Sequence, residues 1–202
     1  MAEKAKEAPA EAGSIAVARR LAAWLALAGG GLILTAVAIV VVDVLGRRFF
    51  AWSVGGADEI SGYAFAAATT FAFAHVYLER ANIRIDILYD RFPTPVRLLA
   101  DLVGALALLI LSLCLLRFGY DVFAQSLRLG SVSNSAVAIP LALPQAAWLF
   151  GLAFFVLVQT VVLLHVVRGL IRRDRGSAAD LLGTRPIEAE EALAVPGRAP
   201  AP

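Results

Sequence analysis

"LAAWLALAGGGLILTAVAIVVV", residues 21–42, is an apolar run with no charged residue in it. As a helix rising about 1.5 Å per residue, it is long enough to cross a hydrocarbon core roughly 30 Å thick. A signal peptide is the competing reading, but the apolar part of such a peptide runs only about 7 to 15 residues. No small-residue cleavage site precedes the charged exit at Asp43. The run is read as a retained membrane anchor.

Working outward, three further runs of comparable length occupy 60–78, 98–116 and 146–167. Hydrophobic residues make up 60% of the chain and charged residues 17%, and the mean hydropathy is +0.78. A soluble domain of this size could not bury so much apolar surface. The expected fold is an all-α integral membrane protein with four transmembrane helices in a domain over 21–173. It is flanked by an N-terminal tail over 1–20 and a C-terminal tail over 174–202. Residues 1–14 and the C-terminal tail have the Ala, Glu and Pro content of disordered segments. The net charge of +2 is small, and the basic residues sit at the ends of apolar runs rather than along a stripe, which excludes a nucleic-acid partner. The single cysteine, Cys114, lies within an apolar run and excludes an intrachain disulfide.

The positions of Lys and Arg set the expected orientation. Lys4, Lys6, Arg19 and Arg20 precede the first run, Arg80, Arg84, Arg91 and Arg97 separate the second from the third, and Arg168, Arg172, Arg173 and Arg175 follow the fourth. The remaining two loops hold only Arg47 and Arg48, and Arg117 and Arg128. Both termini and the 79–97 connection are therefore expected on the cytoplasmic side. Trp24, Trp52 and Trp148 fall near span ends, where amphipathic rings prefer to sit.

Polar residues near the spans each have a structural reading beside a functional one. Thr94 and Pro95 read as the cap and first residue of the third helix, with Arg97 and Asp101 as an i, i+4 pair. Asp43 and Arg47 have the same spacing and close the first span. Asp58 and Glu59 open the second, where a helix dipole favours carboxylates; alternatively they meet another protein. His75 and His165 lie at similar depth near the cytoplasmic exits and could ligate haem, or simply hydrogen-bond locally. Gln159 can bond across helices. Small residues recur at Ala22, Ala26 and Gly30, and at Gly62, Ala66, Thr70 and Ala74, a pattern that lets helices approach closely in lipid. No phosphate-binding loop, metal-ligand cluster or nucleophile with a neighbouring base appears, so no enzyme and no cofactor is expected.

The segment "YLERANIRIDILYDRFP", residues 77–93, stands out between two spans. As a helix it places Ala81, Ile85, Leu88, Tyr89 and Phe92 on one face, with Arg84, Asp86, Asp90 and Arg91 elsewhere. It reads as a short cytoplasmic interfacial helix between the second and third spans.

The order of "LGRRFF", "DEISGYAFAAATTFAFAHVYLERANIRIDILYDRFP" and "SNSAVAIPLALPQAAWLFGL" resembles the small membrane subunit, DctQ type, of tripartite ATP-independent periplasmic (TRAP) transporters. Arg47 and Phe50, the acidic pair Asp58 and Glu59, the run Ile83, Ile85, Asp86, Leu88 and Pro93, and the later Ile139 and Pro140 match the family's pattern. Asn82 stands where a histidine is common, and Gly56 where a tryptophan often precedes the acidic pair. The resemblance implies a noncatalytic subunit of the bacterial inner membrane. It would scaffold a separate, large multispanning subunit for sodium-coupled uptake of an organic acid delivered by a periplasmic binding protein. The candidate partner-interface residues are Arg47, Asp58, Glu59, Gly62, Ala66, Ile83, Ile85, Asp86, Leu88 and Phe92. The alternative of a different class is a haem-binding anchor of a respiratory enzyme using His75 and His165.

Overall fold

A computed structural model describes residues 2–79, 93–135 and 137–171. They form four helices, α1 (Ala2–Phe50), α2 (Ala57–Leu78), α3 (Thr94–Leu129) and α4 (Ala142–Ile171). The helical stretches Gly13–Phe50, Val96–Leu129 and Ala142–Ile171 are long and apolar enough to cross a membrane by length and composition. α2 has sufficient length, at 22 residues, but Gly62, Tyr63, Thr69, Thr70, His75 and Tyr77 dilute its apolar content. The expected interfacial helix falls within 80–92 and the C-terminal tail within 172–202, both outside the described residues.

The helices outrun the apolar stretches that announce them. α3 has 36 residues, about 54 Å at 1.5 Å per residue, and continues well past Leu116. Its polar continuation stays helical with an Arg117–Asp121 ion pair one turn apart. It stops at Gly130, whose left-handed φ of 59° lets its N–H reach the Ser126 carbonyl. At the other terminus the sequence-based cap is displaced by one position. Pro93, not Thr94, precedes the first helical residue, and its carbonyl accepts from the N–H groups of Val96 at 2.9 Å and Arg97 at 3.2 Å. Pro95 still sits in the first turn, where its missing N–H leaves no bond unmade. α1 is helical from Ala2, where composition predicts disorder; its Ala, Glu and Lys are also strong helix formers.

α1 packs on α2, α2 on α4, and α4 on α3, while α1 touches α4 only lightly. α1 meets α2 along Ala22, Gly29, Ala36 and Asp43, all buried and each seven residues from the next. A seven-residue repeat keeps one seam facing a partner across a left-handed crossing. Glycine is required at the second position, because a Cβ on Gly29 would lie 2.9 Å from the Ala68 carbonyl oxygen. α2 meets α4 as closely: a Cβ on Gly151 would come within 2.5 Å of Thr70 Oγ1 and 2.9 Å of the Thr70 carbonyl carbon. Around that contact Phe71 stacks edge-on to Phe150, and Phe73 and Tyr77 both pack on Phe155. Ala22, Ala74, Leu78, Leu152, Phe155, Val158, Val162 and Val166 form the buried centre of the α1, α2 and α4 assembly.

The small residues singled out in the sequence divide between the interior and the open surface. Ala22, Thr70 and Ala74 are buried, but Ala26 and Ala66 are half-buried and Gly30 and Gly62 are exposed. Large apolar faces also remain open. Trp24, Leu27 and Leu34 on α1, and Leu99, Val103, Ile110 and Leu111 on α3, are each more than half exposed. Surfaces of this extent are expected against lipid or other helices, not water.

Candidate functional site

The end of the molecule where α1 gives way to α2, and α3 to α4, gathers the polar residues that the sequence singles out. Asp43 anchors it. Its side chain is 1% exposed and takes three donors: the Arg47 guanidinium, the Ser53 hydroxyl at 2.8 Å and the Val54 N–H at 2.7 Å. The expected Asp43–Arg47 pair is present, and the same carboxylate also folds the turn after α1. The turn reverses through Ala51 and Gly55, both at positive φ, and Trp52 lays its ring over Gly46 while its N–H donates to the Gly46 carbonyl.

Two distant stretches converge one turn away. Glu59 on α2 accepts a hydrogen bond from the Tyr63 hydroxyl. The hydroxyls of Ser135, Tyr63 and Ser133, in that order, hold its carboxyl below the usual range. Ser133 and Ser135 belong to the α3–α4 connection and lie 3.1 Å apart, hydroxyl to hydroxyl. That connection is fixed by an isolated antiparallel bridge between Val132 and Pro140 and by bonds from Ser133 N–H to the Ile139 carbonyl and from Leu141 N–H to the Ser131 carbonyl. Its Val137 lies over Gly56, where a Cβ would come within 2.7 Å of the valine methyl. The absence of a side chain at Gly56, before the acidic pair, is thus matched by a side chain supplied from the other loop.

The other candidate residues are distributed as follows. Asp58 is exposed, and with Ala36, Val40, Gly62 and Phe65 it lines an open apolar groove of about 500 Å³ between α1 and α2. A Cβ added to Gly62 would meet nothing within 4 Å. Arg47 is bound to Asp43 yet its side chain is 54% exposed, and Phe50 is exposed. Ile83, Ile85, Asp86, Leu88 and Phe92 lie outside the described residues.

At the opposite end, α1 is tied across its neighbours by Ser14 to His165 Nε2 at 3.5 Å and Arg19 to Glu79 at 3.6 Å. The second ring nitrogen of His165 lies 2.8 Å from the Val161 carbonyl of its own helix. With both nitrogens of His165 so placed, the haem alternative gains no support. Among the described residues, His75 Nδ1 and both amide atoms of Gln159 are buried with no hydrogen-bond partner, so the bond across helices expected of Gln159 is not seen there.

The chain belongs to the DctQ family: the model for "Tripartite ATP-independent periplasmic transporters, DctQ component" matches residues 36–169, from the α1–α2 seam almost to the end of α4. It is a small membrane component of the TRAP transporter type. Neither the comparison with curated proteins nor that with solved structures finds a match.

Proposed function

We propose that this subunit is a noncatalytic scaffold. It braces a separate, large multispanning subunit that carries out sodium-coupled uptake of an organic acid handed over by a periplasmic binding protein. All four helices cross the bacterial inner membrane, with both termini in the cytoplasm. The observation that carries this reading is the α1–α2 groove, apolar along its length, floored by the small Ala36 and open at Gly62, with Asp58 among its lining residues. Small residues on an exposed transmembrane face admit the close approach of another helix, which in lipid is how packing energy is gained. A helix of the large subunit occupies this groove, and the face formed by Ile85, Leu88 and Phe92 makes a second contact on the cytoplasmic side. The polar groups at the outer end support the same role, since Asp43 and Glu59 are engaged in holding the subunit's own turns.

The deciding experiment is flux into proteoliposomes containing this subunit alone, the large subunit alone, or both, with the binding protein and a sodium gradient supplied. Uptake should require both membrane subunits. Saturable uptake by this subunit alone would overturn the scaffold reading.

A further inference from the structure

A second groove, about 620 Å³, runs between α3 and α4 and is lined by apolar side chains including Leu113, Leu116, Phe150 and Ala153. Where the α1–α2 groove has Asp58 as its charged lining residue, this one has Arg117, with Tyr120 beside it. Arg117 pairs with Asp121 one turn further on, and the two side chains remain 67% and 53% exposed. Arg117 thus borders the apolar trough, and Asp121, bonded to it, lies one turn further along α3 without lining the trough itself. On the next turn Trp148 packs against Gly119, where a Cβ would come within 2.5 Å of the indole. From Leu113 the exposed side of α3 continues away from the ion pair as Ile110 and Leu106.

We infer that the α3–α4 groove binds a phospholipid bearing a primary ammonium, phosphatidylethanolamine, with its phosphate on Arg117, its ammonium on Asp121 and an acyl chain along Leu113 and Leu116. The match is one of charge order. Arg117 and Asp121 together carry no net charge, so they offer little attraction to an anionic lipid or a charged peptide, but their dipole complements a zwitterionic headgroup. Arg117 has five N–H donors and the Asp121 carboxylate several acceptor positions, so each can serve a ligand while keeping its partner. An ethanolamine ammonium donates hydrogen bonds to Asp121. A choline headgroup has no N–H to donate, and a glycerol headgroup has no cation. This inference rests on α3 and α4 crossing the membrane, and not on the scaffold role.

The test is native mass spectrometry of the full chain released from micelles containing equal amounts of phosphatidylethanolamine, phosphatidylcholine and phosphatidylglycerol with the same acyl chains. An exposed charge contact contributes up to about 1 kcal/mol, so the ethanolamine adduct should exceed the choline adduct by about fivefold. Asp121→Asn should bring that ratio to near one, and Asp121→Glu should retain it. Arg117→Gln should lower all three adducts, as should Ala153→Phe, which fills the trough. Equal retention of the ethanolamine and choline lipids by the unmodified chain overturns the inference, whatever the variants do. So does a predominant glycerol-lipid adduct, or a preference that survives Asp121→Asn. Because no transport partner is present, the result is independent of whether the subunit supports uptake.

Discussion

Gly151 of α4 lies so close to Thr70 of α2 that a single added carbon would meet the threonine hydroxyl at 2.5 Å. Thr70 cannot easily yield, since its hydroxyl donates to the Ala67 carbonyl at 3.0 Å within its own helix and the residue is 2% exposed. The contact fixes the distance between two helices joined only through the rest of the chain.

Gly151→Leu should therefore force α2 and α4 apart and destabilise the subunit by about 1 to 3 kcal/mol, the usual cost of overpacking. Gly30→Ala is the matched control, because a Cβ there meets nothing within 4 Å. It should be neutral or gain up to about 1 kcal/mol from the better helix former. Thermal unfolding in mild detergent, read by circular dichroism, checks both. Equal melting temperatures for the two variants would show that the helices are not closely seated.

Asp43→Ala should loosen the turn after α1 without unwinding the helix itself. The direct readout is amide exchange at Val54, whose N–H is held 2.7 Å from the Asp43 carboxylate. Protection should be present in the parent, largely kept in Asp43→Asn, which retains an acceptor oxygen, and lost in Asp43→Ala. Unchanged protection in the alanine variant would assign the turn's order to Trp52 and Gly46 instead.

Orientation can be read chemically. In a Cys114→Ser background, a cysteine at the exposed Asn134 should react with an impermeant maleimide added outside the cell, whereas one at Ser177 should react only after permeabilisation. The opposite pattern would invert the topology drawn from Lys and Arg.

Partner docking makes a separable prediction. Gly62→Phe should fill the α1–α2 groove and abolish co-purification of the large subunit while leaving this subunit's membrane level unchanged. Ile85→Asp with Leu88→Asp should do the same through the 77–93 segment, since each buried aliphatic side chain contributes about 1.5 to 3 kcal/mol. Arg84→Ala with Asp90→Ala, off that face, should have little effect. Retention of the large subunit by the Gly62 variant would place the interface elsewhere.

The elements were legible in the sequence to the extent that hydropathy reports them. Four apolar runs correspond to four helices, but hydropathy marks where lipid contact ends, not where hydrogen bonding ends. α3 therefore extends through Leu129 on the strength of an ion pair and a glycine stop. The Asp43–Arg47 pair was readable because i, i+4 geometry is local. The α1–α2 seam does not follow the four-residue spacing of small residues. Counting small residues every four positions picks out Ala26 and Gly30, whereas the buried line follows the seven-residue spacing of Ala22, Gly29, Ala36 and Asp43. That spacing is visible in the sequence once a supercoiled partner is assumed. No local signal brings Ser135 to Glu59, Val137 to Gly56, or Thr70 to Gly151. Those meetings depend on how the helices assemble, and the sequence order of the two loop motifs does not reveal that they share one end of the molecule.

The chain of contacts from α1 to α2 to α4 to α3 also dictates when each contact can exist during synthesis. The Ala22–Asp43 seam and its partner surface on α2 are complete within the first 78 residues, so the α1–α2 hairpin can close before α3 has been made. α3 then enters with no built surface to receive it, because its principal neighbour is α4, which follows it. Until Ala142–Ile171 arrives, the 36-residue α3 lacks that neighbour, and the α1–α2 connection lacks the Val137 side chain that covers Gly56. Loss of α4 should therefore leave two unfinished halves at once.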